Sequence, residues 1–534
     1  MSQVRVTFLP ENVTGLVPMG TTIAQAARSA AIVLTAPCAG AGTCGRCRVL
    51  LADVGSVLAC QHRVQEDLVV EIPATSRPGS LAVHLASTIE ASGNSRTLDP
   101  LESSPCEQAT RPLGLALDIG TSTVACELVD LSTGHVLLCA GRANSQAAFG
   151  AEVTRRIEHV EDHGSDDVAE AVIADIRALM DEMTQTLDGK AAPLGAMVVA
   201  GNTAMLHFLY RYDPSSIRRA PHVPLIAAPP TAPASTLGLE LDGDPIVYAM
   251  PSIGGWVGGD ITAGILATGL HNDSALTMMI DIGTNGEIVL GNKDWLMACA
   301  ASAGPAFEGC GISCGSGATP GAIDRLSITK EGQITWHTID DESPHGLCGS
   351  GLISVVASLF RAGLLDRAGG ILAPHADLDE CGFILVPASG SATGNSIALL
   401  QRDIDSIVLA KAALFAGTQS LLHATDLCLG DLDRLIICGG FGSVLDVEDA
   451  VTLGLIPDVP REKISFAGNT SLRGARTALL NHAAWDEARD IAGKTGYVEL
   501  MDDPDYFERF TSARFLPHTD LGLFPSVTTP KRRS

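Results

Sequence analysis

The sequence predicts an α/β body made of two copies of one strand–turn–strand unit, preceded by a small α+β unit. Three observations predict this. The segments Leu113 to Val129, L-G-L-A-L-D-I-G-T-S-T-V-A-C-E-L-V, and Thr277 to Gly291, T-M-M-I-D-I-G-T-N-G-E-I-V-L-G, share one order of apolar strand, Asp-x-Gly-Thr turn and apolar strand. A late apolar strand breaks into a glycine turn in R-L-I-I-C-G-G-F-G-S. Four cysteines with a distinctive spacing stand near the N-terminus, ahead of both copies.

Each of the two turns has the residues expected of a phosphate site. Asp118 or Asp281 ends the first strand, a glycine lets the backbone approach a ligand, and a hydroxyl residue follows. Turn amides and hydroxyls suit phosphate oxygens, and a nearby carboxylate is tolerated if Mg²⁺ lies between. One Asp-x-Gly-Thr is also an ordinary hairpin turn, but two copies in matching context favour two halves around one nucleotide. We predict that Asp118 and Asp281 face each other across an open cleft. The predicted nucleotide-binding residues are Gly120, Thr121, Ser122, Thr123, Gly283, Thr284, Asn285, Gly286, Gly439 and Gly440.

Length and composition limit the class of protein. A chain of 534 residues predicts two to four domains, and 46% hydrophobic with 18% charged residues indicates a globular protein. No apolar run approaches the roughly 20 residues that span a bilayer, and the N-terminus lacks the layout of a secretory signal, so we expect a cytoplasmic protein without a membrane segment. A net charge of −26 opposes binding to nucleic acid or to an anionic membrane.

Four cysteines predict an iron–sulfur unit in residues 1–73. Cys38, Cys44, Cys47 and Cys60 follow the spacing C-x5-C-x2-C-x12-C, and the loop C-A-G-A-G-T-C-G-R-C is rich in Gly and Ala. Three thiolates in a glycine-lined loop with one remote partner are typical of a [2Fe–2S] cluster whose sulfides accept backbone N–H bonds. A four-cysteine zinc site and unligated buried cysteines are the alternatives.

The other ten cysteines are scattered, and we expect them to fill the core. Cys310 and Cys314 form the short pair E-G-C-G-I-S-C-G, but no second pair or histidine lies near them in sequence to complete a metal site.

Several further segments of the body have clear patterns. Residues 166–187 and 403–417 predict amphipathic helices, and A-M-V-V-A-G predicts a strand ending at Gly201, followed by Asn202 and Thr203. We expect His207 to be a buried, hydrogen-bonded side chain. Asp260 precedes an apolar helix, where it either caps the helix or helps to hold a nucleotide-bound metal. Residues 74–112 are rich in Ser, Thr and Pro, with one short helical pattern, and predict a flexible linker.

These motifs together resemble a known family. Two D-I-G-T hairpins followed by a late strand and G-G turn are similar to the acetate kinase, sugar kinase, Hsp70 and actin (ASKHA) superfamily, which binds ATP between two ribonuclease-H-like halves. With the N-terminal cysteines, and with G-N-T-A-M, V-G-G-D, S-A-G-P-A-F-E-G, C-G-S-G-L-I, A-K-A-A and G-N-T-S-L-R-G-A in order, nearly the whole chain resembles the reductive activators of corrinoid proteins. Archaeal activators of methylamine methyltransferases carry C-terminal cysteine clusters that this sequence lacks.

The resemblance implies a fold, a reaction and partners. The domains would be a ferredoxin-like [2Fe–2S] unit at 1–73, a linker at 74–112, and ASKHA halves at 113–275 and 276–534. The activity would be ATP-dependent reduction of cob(II)alamin to cob(I)alamin on a corrinoid protein or a cobalamin-dependent methyltransferase, with Mg²⁺ and a cellular electron donor. The oligomeric state stays open, a homodimer included.

Two other classes of protein share the nucleotide motifs. One is an ASKHA-type small-molecule kinase fused to a redox-sensing iron–sulfur unit, and the other is an ATPase in which nucleotide drives conformation or filament assembly. Neither explains the attached ferredoxin-like unit.

Overall fold

The computed structural model describes residues 3–10, 12–30, 32, 34, 47–52, 54–73, 76, 113–187, 193–329, 333–372, 381–440 and 445–529. The predicted linker at 74–112 therefore lies outside the described residues, apart from Ser76. Cys38, Cys44 and Cys106 also lie outside them, as do the last two residues of the Gly-Gly-Phe-Gly turn.

The N-terminal unit is a five-stranded mixed sheet with one helix. The strands lie in the order β2-β1-β5-β3-β4, and β1 pairs parallel with β5. Alternate residues of β1 are buried, because one face of the sheet covers a small apolar core. The elements are β1 (Gln3–Leu9), β2 (Val13–Pro18), α1 (Ile23–Ser29), β3 (Arg48–Leu51), β4 (Gly55–Leu58) and β5 (Leu68–Glu71).

The first half of the body is a six-stranded sheet in the order β10-β11-β9-β6-β7-β8. Its central strand β6 is apolar almost throughout and buried on both faces, as expected for a strand with helices on both sides. The predicted helix and strand at 166–187 and 194–201 are both confirmed. The elements are β6 (Leu113–Ile119), β7 (Thr123–Asp130), β8 (Val136–Ala143), α2 (Val153–His163), α3 (Asp166–Thr186), β9 (Leu194–Gly201), α4 (Thr203–Leu209), α5 (Ser215–Arg218), β10 (Ala232–Pro233), β11 (Ile246–Ala249) and α6 (Gly259–Thr268).

The second half contains a six-stranded sheet in the order β21-β20-β12-β13-β14-β22, with smaller sheets inserted after β14. Its elements are β12 (Thr277–Ile282), β13 (Gly286–Gly291), β14 (Leu296–Ala301), β15 (Ala322–Ile328), β16 (Ile334–Thr338), β17 (Gly346–Leu347), α7 (Gly349–Arg361), β18 (Gly382–Val386), β19 (Ile397–Leu400), α8 (Gln401–Ala424), β20 (Arg434–Cys438), α9 (Val447–Leu453), β21 (Ile464–Gly468), α10 (Thr470–Leu480), α11 (Ala483–Lys494), β22 (Thr495–Tyr497) and α12 (Tyr506–Ala513).

The two large sheets repeat one topology, so the predicted duplication is confirmed. In each, the first three strands form an antiparallel meander, and the first strand also pairs parallel with a later one, β6 with β9 and β12 with β20. That later strand pairs parallel with a further strand, β9 with β11 and β20 with β21. The fold is a duplicated α/β body.

Helices α6 and α10 join the two halves. One apolar cluster contains residues of both sheets together with these helices, for example Ala116, Ile261, Met279 and Leu472. A Cβ on Gly474 of α10 would lie 2.0 Å from a backbone oxygen of α6, so the two helices cross in backbone contact.

Helix α8 differs from its prediction. It is buried on nearly all sides, Lys411 included, and therefore is not amphipathic. By length and composition it could also cross a membrane, contrary to the expectation that no apolar run is long enough. Since 78% of its apolar window is buried inside the protein, it fits the central helix of a globular half.

Candidate functional site

The turns after β6 and β12 are each closed by a hydrogen bond from the amide of the turn's glycine. The Gly120 amide donates to the Thr123 carbonyl at 2.9 Å, and the Gly283 amide donates to the Asn285 carbonyl at 3.0 Å. The repeated sequence therefore places a turn at the same position of both sheets, although the second turn is one residue shorter than the first.

The two turns meet across the halves. The hydroxyl oxygens of Ser122 and Thr284 lie 3.4 Å apart, although the residues belong to different halves. Thr284 is buried, with 7% of its surface exposed. The expectation that both turns face an open cleft is therefore wrong for these hydroxyls, because a side chain of the protein already contacts them.

That side chain is Glu308, which the sequence patterns did not single out. Thr284 Oγ1 donates to both carboxylate oxygens at 3.0 Å, and Ser122 Oγ donates to Glu308 Oε2. Burial raises the pKa of Glu308, while these hydrogen bonds and the charge of Arg156 lower it. The signal in the sequence was a lone carboxylate in the otherwise apolar turn S-A-G-P-A-F-E-G.

Asp118 is held by the C-terminal part of the chain. Its two carboxylate oxygens accept hydrogen bonds from Asn469 Nδ2 at 2.8 Å and Ser471 Oγ at 2.7 Å. Asn469 also caps α10, accepting a hydrogen bond from the Leu472 amide. The motif G-N-T-S-L-R-G-A thus supplies two contacts to the first turn that local sequence patterns did not predict.

Asp118, Asp260 and Asp281 influence one another. Burial raises the pKa of Asp281 from 3.8 to about 7, and the charges of Asp260 and Asp118 contribute to the rise. Burial, followed by the charge of Asp118, also raises the pKa of Asp260. Three carboxylates that repel one another disfavour the empty, fully ionised state and favour a bound cation.

Asp260 does not cap its helix as one alternative predicted. The N-cap of α6 is Gly258, and Asp260 lies in the first turn, where its Oδ1 accepts a hydrogen bond from the Ile261 amide at 2.9 Å. Its proximity to the other carboxylates favours the alternative that it belongs to the nucleotide site.

Glu287 is a fourth acidic residue of this region. It pairs with Asp281 across β12 and β13, and burial, followed by the charges of Asp260 and Asp281, raises its pKa well above the usual range. Asn285, which we predicted to contact phosphate, interacts with this side chain through a hydrogen bond.

The remaining predicted turn residues lie at strand starts. Thr123 begins β7 and Gly286 begins β13. A Cβ on Gly286 would lie 2.2 Å from a terminal side-chain carbon of Leu414, so this glycine packs closely against α8.

A second buried residue, Arg156, supports the first turn. It is fully buried and donates to the Thr121 carbonyl at 2.6 Å and to the Gly150 carbonyl at 2.9 Å. Burial lowers the pKa of its guanidinium to about 9, while the charges of Glu308 and Asp175 oppose that change. The sequence analysis did not single out Arg156, which is one of several charged residues in α2.

The glycine turn after β20 lies beside Asp281. Gly439 has a φ of +104°, and a Cβ there would lie 2.4 Å from the Ile282 carbonyl oxygen and 3.1 Å from Asp281 Oδ1. Only glycine fits this position without strain. Gly440 follows it with nothing within 4 Å of a Cβ placed there, which leaves room for a ligand.

Two of the four predicted cluster cysteines, Cys47 and Cys60, are described, and backbone pairing brings their segments together. Cys47 immediately precedes β3 and Cys60 closely follows β4; the Ala59 amide donates to the Cys47 carbonyl at 2.8 Å. Both cysteines are buried in the N-terminal core. This pair of thiols fits the predicted ligand set, the rest of which lies outside the described residues.

The other cysteines follow the prediction in part. Cys126, Cys299, Cys348 and Cys438 are buried, as expected. The core-filling prediction is wrong for Cys139, Cys381 and Cys428, which are exposed. Cys310 and Cys314 are partly exposed.

His207 is buried as predicted, and its Nδ1 lies 2.8 Å from the Thr203 carbonyl. In the described part of the chain, no three His, Cys, Asp or Glu side chains converge closely enough to hold a metal by themselves. A cation at the carboxylates would therefore need water or phosphate oxygens as further ligands, which is how Mg²⁺ is commonly bound.

Comparison with known proteins shows to which family the chain belongs. The duplicated sheets and matching turns define an ASKHA-type α/β body. A model of the C-terminal domain of RACo, the ASKHA domain, matches residues 275–528, and a model of the RACo middle region matches residues 113–273. The chain belongs to the RACo family of reductive activators of corrinoid proteins.

Individual relatives of the chain are also named as activators or reductases of corrinoid proteins. The corrinoid activation enzyme RamQ of Eubacterium limosum is 30% identical over 422 residues, 76% of this chain and 71% of that protein. The [Co(II) methylated amine-specific corrinoid protein] reductase of Methanosarcina barkeri is 27% identical over 421 residues, 73% of this chain and 74% of that protein. A solved structure, a reductive activator for corrinoid,iron-sulfur protein, is 36% identical with a TM-score of 0.75, covering 98% of this chain and 100% of its own.

Proposed function

We propose that this protein uses ATP to drive the one-electron reduction of cob(II)alamin to cob(I)alamin on a corrinoid protein or cobalamin-dependent methyltransferase. The observation that carries the proposal is the meeting of Ser122 and Thr284, 3.4 Å apart, from two copies of one phosphate-type turn. Relatives named as corrinoid activators support the choice of partner.

The nucleotide would lie where the two turns meet. Turn amides would bind phosphate oxygens, and the space at Gly440 would admit the adenosine. Mg²⁺, bound through water to Asp118 and Asp281, would neutralise carboxylates that otherwise repel one another and the phosphates. Binding of ATP with Mg²⁺ would thereby neutralise the repelling carboxylates, and the two halves would close around the bound nucleotide.

The N-terminal unit would hold the redox group. The buried residues Cys47 and Cys60, together with Cys38 and Cys44, would ligate a [2Fe–2S] cluster, which supplies one-electron transfer when bound. We propose residues 1–73 as this unit, 74–112 as the linker, and 113–275 and 276–534 as the two ATPase halves in a cytoplasmic protein.

Energetics explain why ATP is needed. A ferredoxin-type donor lies near roughly −400 mV, and each ~100 mV by which an acceptor lies lower costs about 2.3 kcal/mol for one electron. The ATP form and the ADP form of this protein would bind the partner in different states. The difference in binding free energy would offset the deficit in reduction potential.

The test mixes reduced protein with a cob(II)alamin-bearing partner and follows the cob(I)alamin absorbance with ATP, without ATP and with a non-hydrolysable analogue. We expect full reduction only with ATP, and about two irons per chain in anaerobically prepared protein. Cys60→Ser should lose iron and reduction while retaining ATP hydrolysis. Equal cob(I)alamin yields in all three arms, or zinc in place of iron, would refute the proposal.

A further inference from the structure

The carboxylate of Glu308 occupies a special position in the cleft. It accepts hydrogen bonds from a hydroxyl of each turn, Thr284 at 3.0 Å in its own half and Ser122 in the other half. It therefore lies at the point where the phosphates of a nucleotide held by both turns would end.

The backbone that carries Glu308 is fixed. The residue ends the 3-10 turn Pro305–Glu308, where the neighbouring Phe307 is fully buried. Gly309 follows with a φ of +74°, and a Cβ there would lie 2.6 Å from the Ser316 carbonyl oxygen. The Cys310 amide closes the turn by donating to the Pro305 carbonyl at 3.2 Å. A carboxylate on such a support is preorganised.

The contacts of Glu308 also leave it free to accept a proton. Its hydrogen-bond partners among the described residues are two neutral hydroxyls, and Arg156 acts on it through its charge. An ionised carboxylate has about four lone-pair sites, so it can accept a further hydrogen bond from water.

We propose that Glu308 is the general base of ATP hydrolysis, an assignment that rests on the proposed function. The Glu308 carboxylate accepts a proton from a water molecule while the water oxygen forms a bond to the γ-phosphorus. The bond from the γ-phosphorus to the β–γ bridging oxygen breaks, and ADP leaves with that electron pair. The proton then passes from Glu308 to the product phosphate or to solvent. Ser122 and Thr284 hold the carboxylate in place through their hydrogen bonds.

If Glu308 instead occupied the position of the phosphate until nucleotide binds, its removal would have the opposite effect on nucleotide binding and on hydrolysis. Ser122 and Thr284 have one hydroxyl proton each, so a phosphate that took both protons would have to displace Glu308. In that case removing the charge of Glu308 would tighten nucleotide binding and leave hydrolysis intact. If Glu308 is the general base, removing its charge would slow ATP hydrolysis and leave nucleotide binding nearly unchanged.

The experiment measures the rate of ATP hydrolysis and the affinity for an ATP analogue, both on the full chain with Mg²⁺. For Glu308→Gln we expect single-turnover ATP hydrolysis to fall at least ~100-fold, while the Kd of a non-hydrolysable ATP analogue stays within about threefold. Glu462→Gln, an exposed glutamate of the same half, is the matched control and should hydrolyse ATP as the wild type does. Glu308→Ala is the second variant, and formate should restore its hydrolysis at least ~10-fold by replacing the missing carboxylate.

Three outcomes would overturn the assignment: hydrolysis by Glu308→Gln within about threefold of wild type, a tenfold or greater tightening of its analogue affinity with the rate retained, or no rescue of Glu308→Ala by formate. If the wild-type protein binds the analogue but does not hydrolyse ATP, the proposed function fails, and this is seen before any variant is compared.

Discussion

Asp281→Asn is expected to stabilise the empty protein at pH 8 while abolishing ATP hydrolysis. Burial and the charges of Asp260 and Asp118 raise the pKa of Asp281 from 3.8 to about 7. A carboxyl whose pKa is raised by folding destabilises the folded state when it ionises, so this cost is absent below pH ~4, grows between pH ~4 and ~7, and is complete above pH ~7. A rise of about three pKa units corresponds to roughly 4 kcal/mol at pH 8 and to roughly 1.5 kcal/mol at pH 5.

The assay is urea denaturation of nucleotide-free and Mg²⁺-free protein at pH 5 and pH 8, followed by the fluorescence of the four tryptophans. Asp281→Asn should gain roughly 2–3 kcal/mol more over the wild type at pH 8 than at pH 5. Asp294→Asn, at an exposed position of the same half, controls for the loss of a carboxylate. If the gain of Asp281→Asn were the same at both pH values, folding would not raise the pKa of Asp281 as described. Normal ATP hydrolysis by this variant would remove Asp281 from the proposed site.

Two further substitutions test the glycine turn and the contact between the halves. Gly439→Ala should destabilise the protein by at least ~1 kcal/mol and weaken binding of a fluorescent ATP analogue, because a Cβ there meets the Ile282 carbonyl oxygen at 2.4 Å and φ is +104°. Gly440→Ala is the control for folding, and equal melting temperatures of the two variants would contradict the expected strain. Arg476→Met should cost about 3 kcal/mol in urea denaturation, because it leaves the buried Glu127 without its partner at 3.0 Å. Adding Glu127→Leu should recover most of that loss, and a double variant as unstable as the single one would show that the pair itself does not account for it.

Local sequence patterns predicted the parts of the site that lie within one strand and turn. Both hairpins, their glycines and the strand before Gly439 follow from apolar runs that end at turn residues, and the structure has them at the predicted positions. The duplication was equally visible, since both copies keep the same order of residue types. Such features depend on neighbours along the chain and are therefore encoded locally.

Contacts between distant segments were not predictable in this way. Asn469 and Ser471 contact Asp118 from more than 350 residues away, and their own motif indicates only the start of a helix. Glu308 follows a glycine-rich turn whose sequence does not show that it points at the hydroxyls of both hairpins. The burial of α8 was missed for the same reason, since its surroundings come from several separate parts of the second half.

These distant contacts also connect the carboxylates to the interface between the halves. The first turn of α10 contacts Asp118, and the middle of α10 crosses α6 in backbone contact at Gly474. Helix α6 in turn begins beside Asp260, whose pKa responds to the charge of Asp118. Two of the repelling carboxylates are therefore attached to one closely packed helix pair that contributes to the cores of both halves. Neutralising these carboxylates by a cation would remove a repulsion that acts on this helix pair, so the charge state of the proposed nucleotide site would be coupled to the packing between the halves.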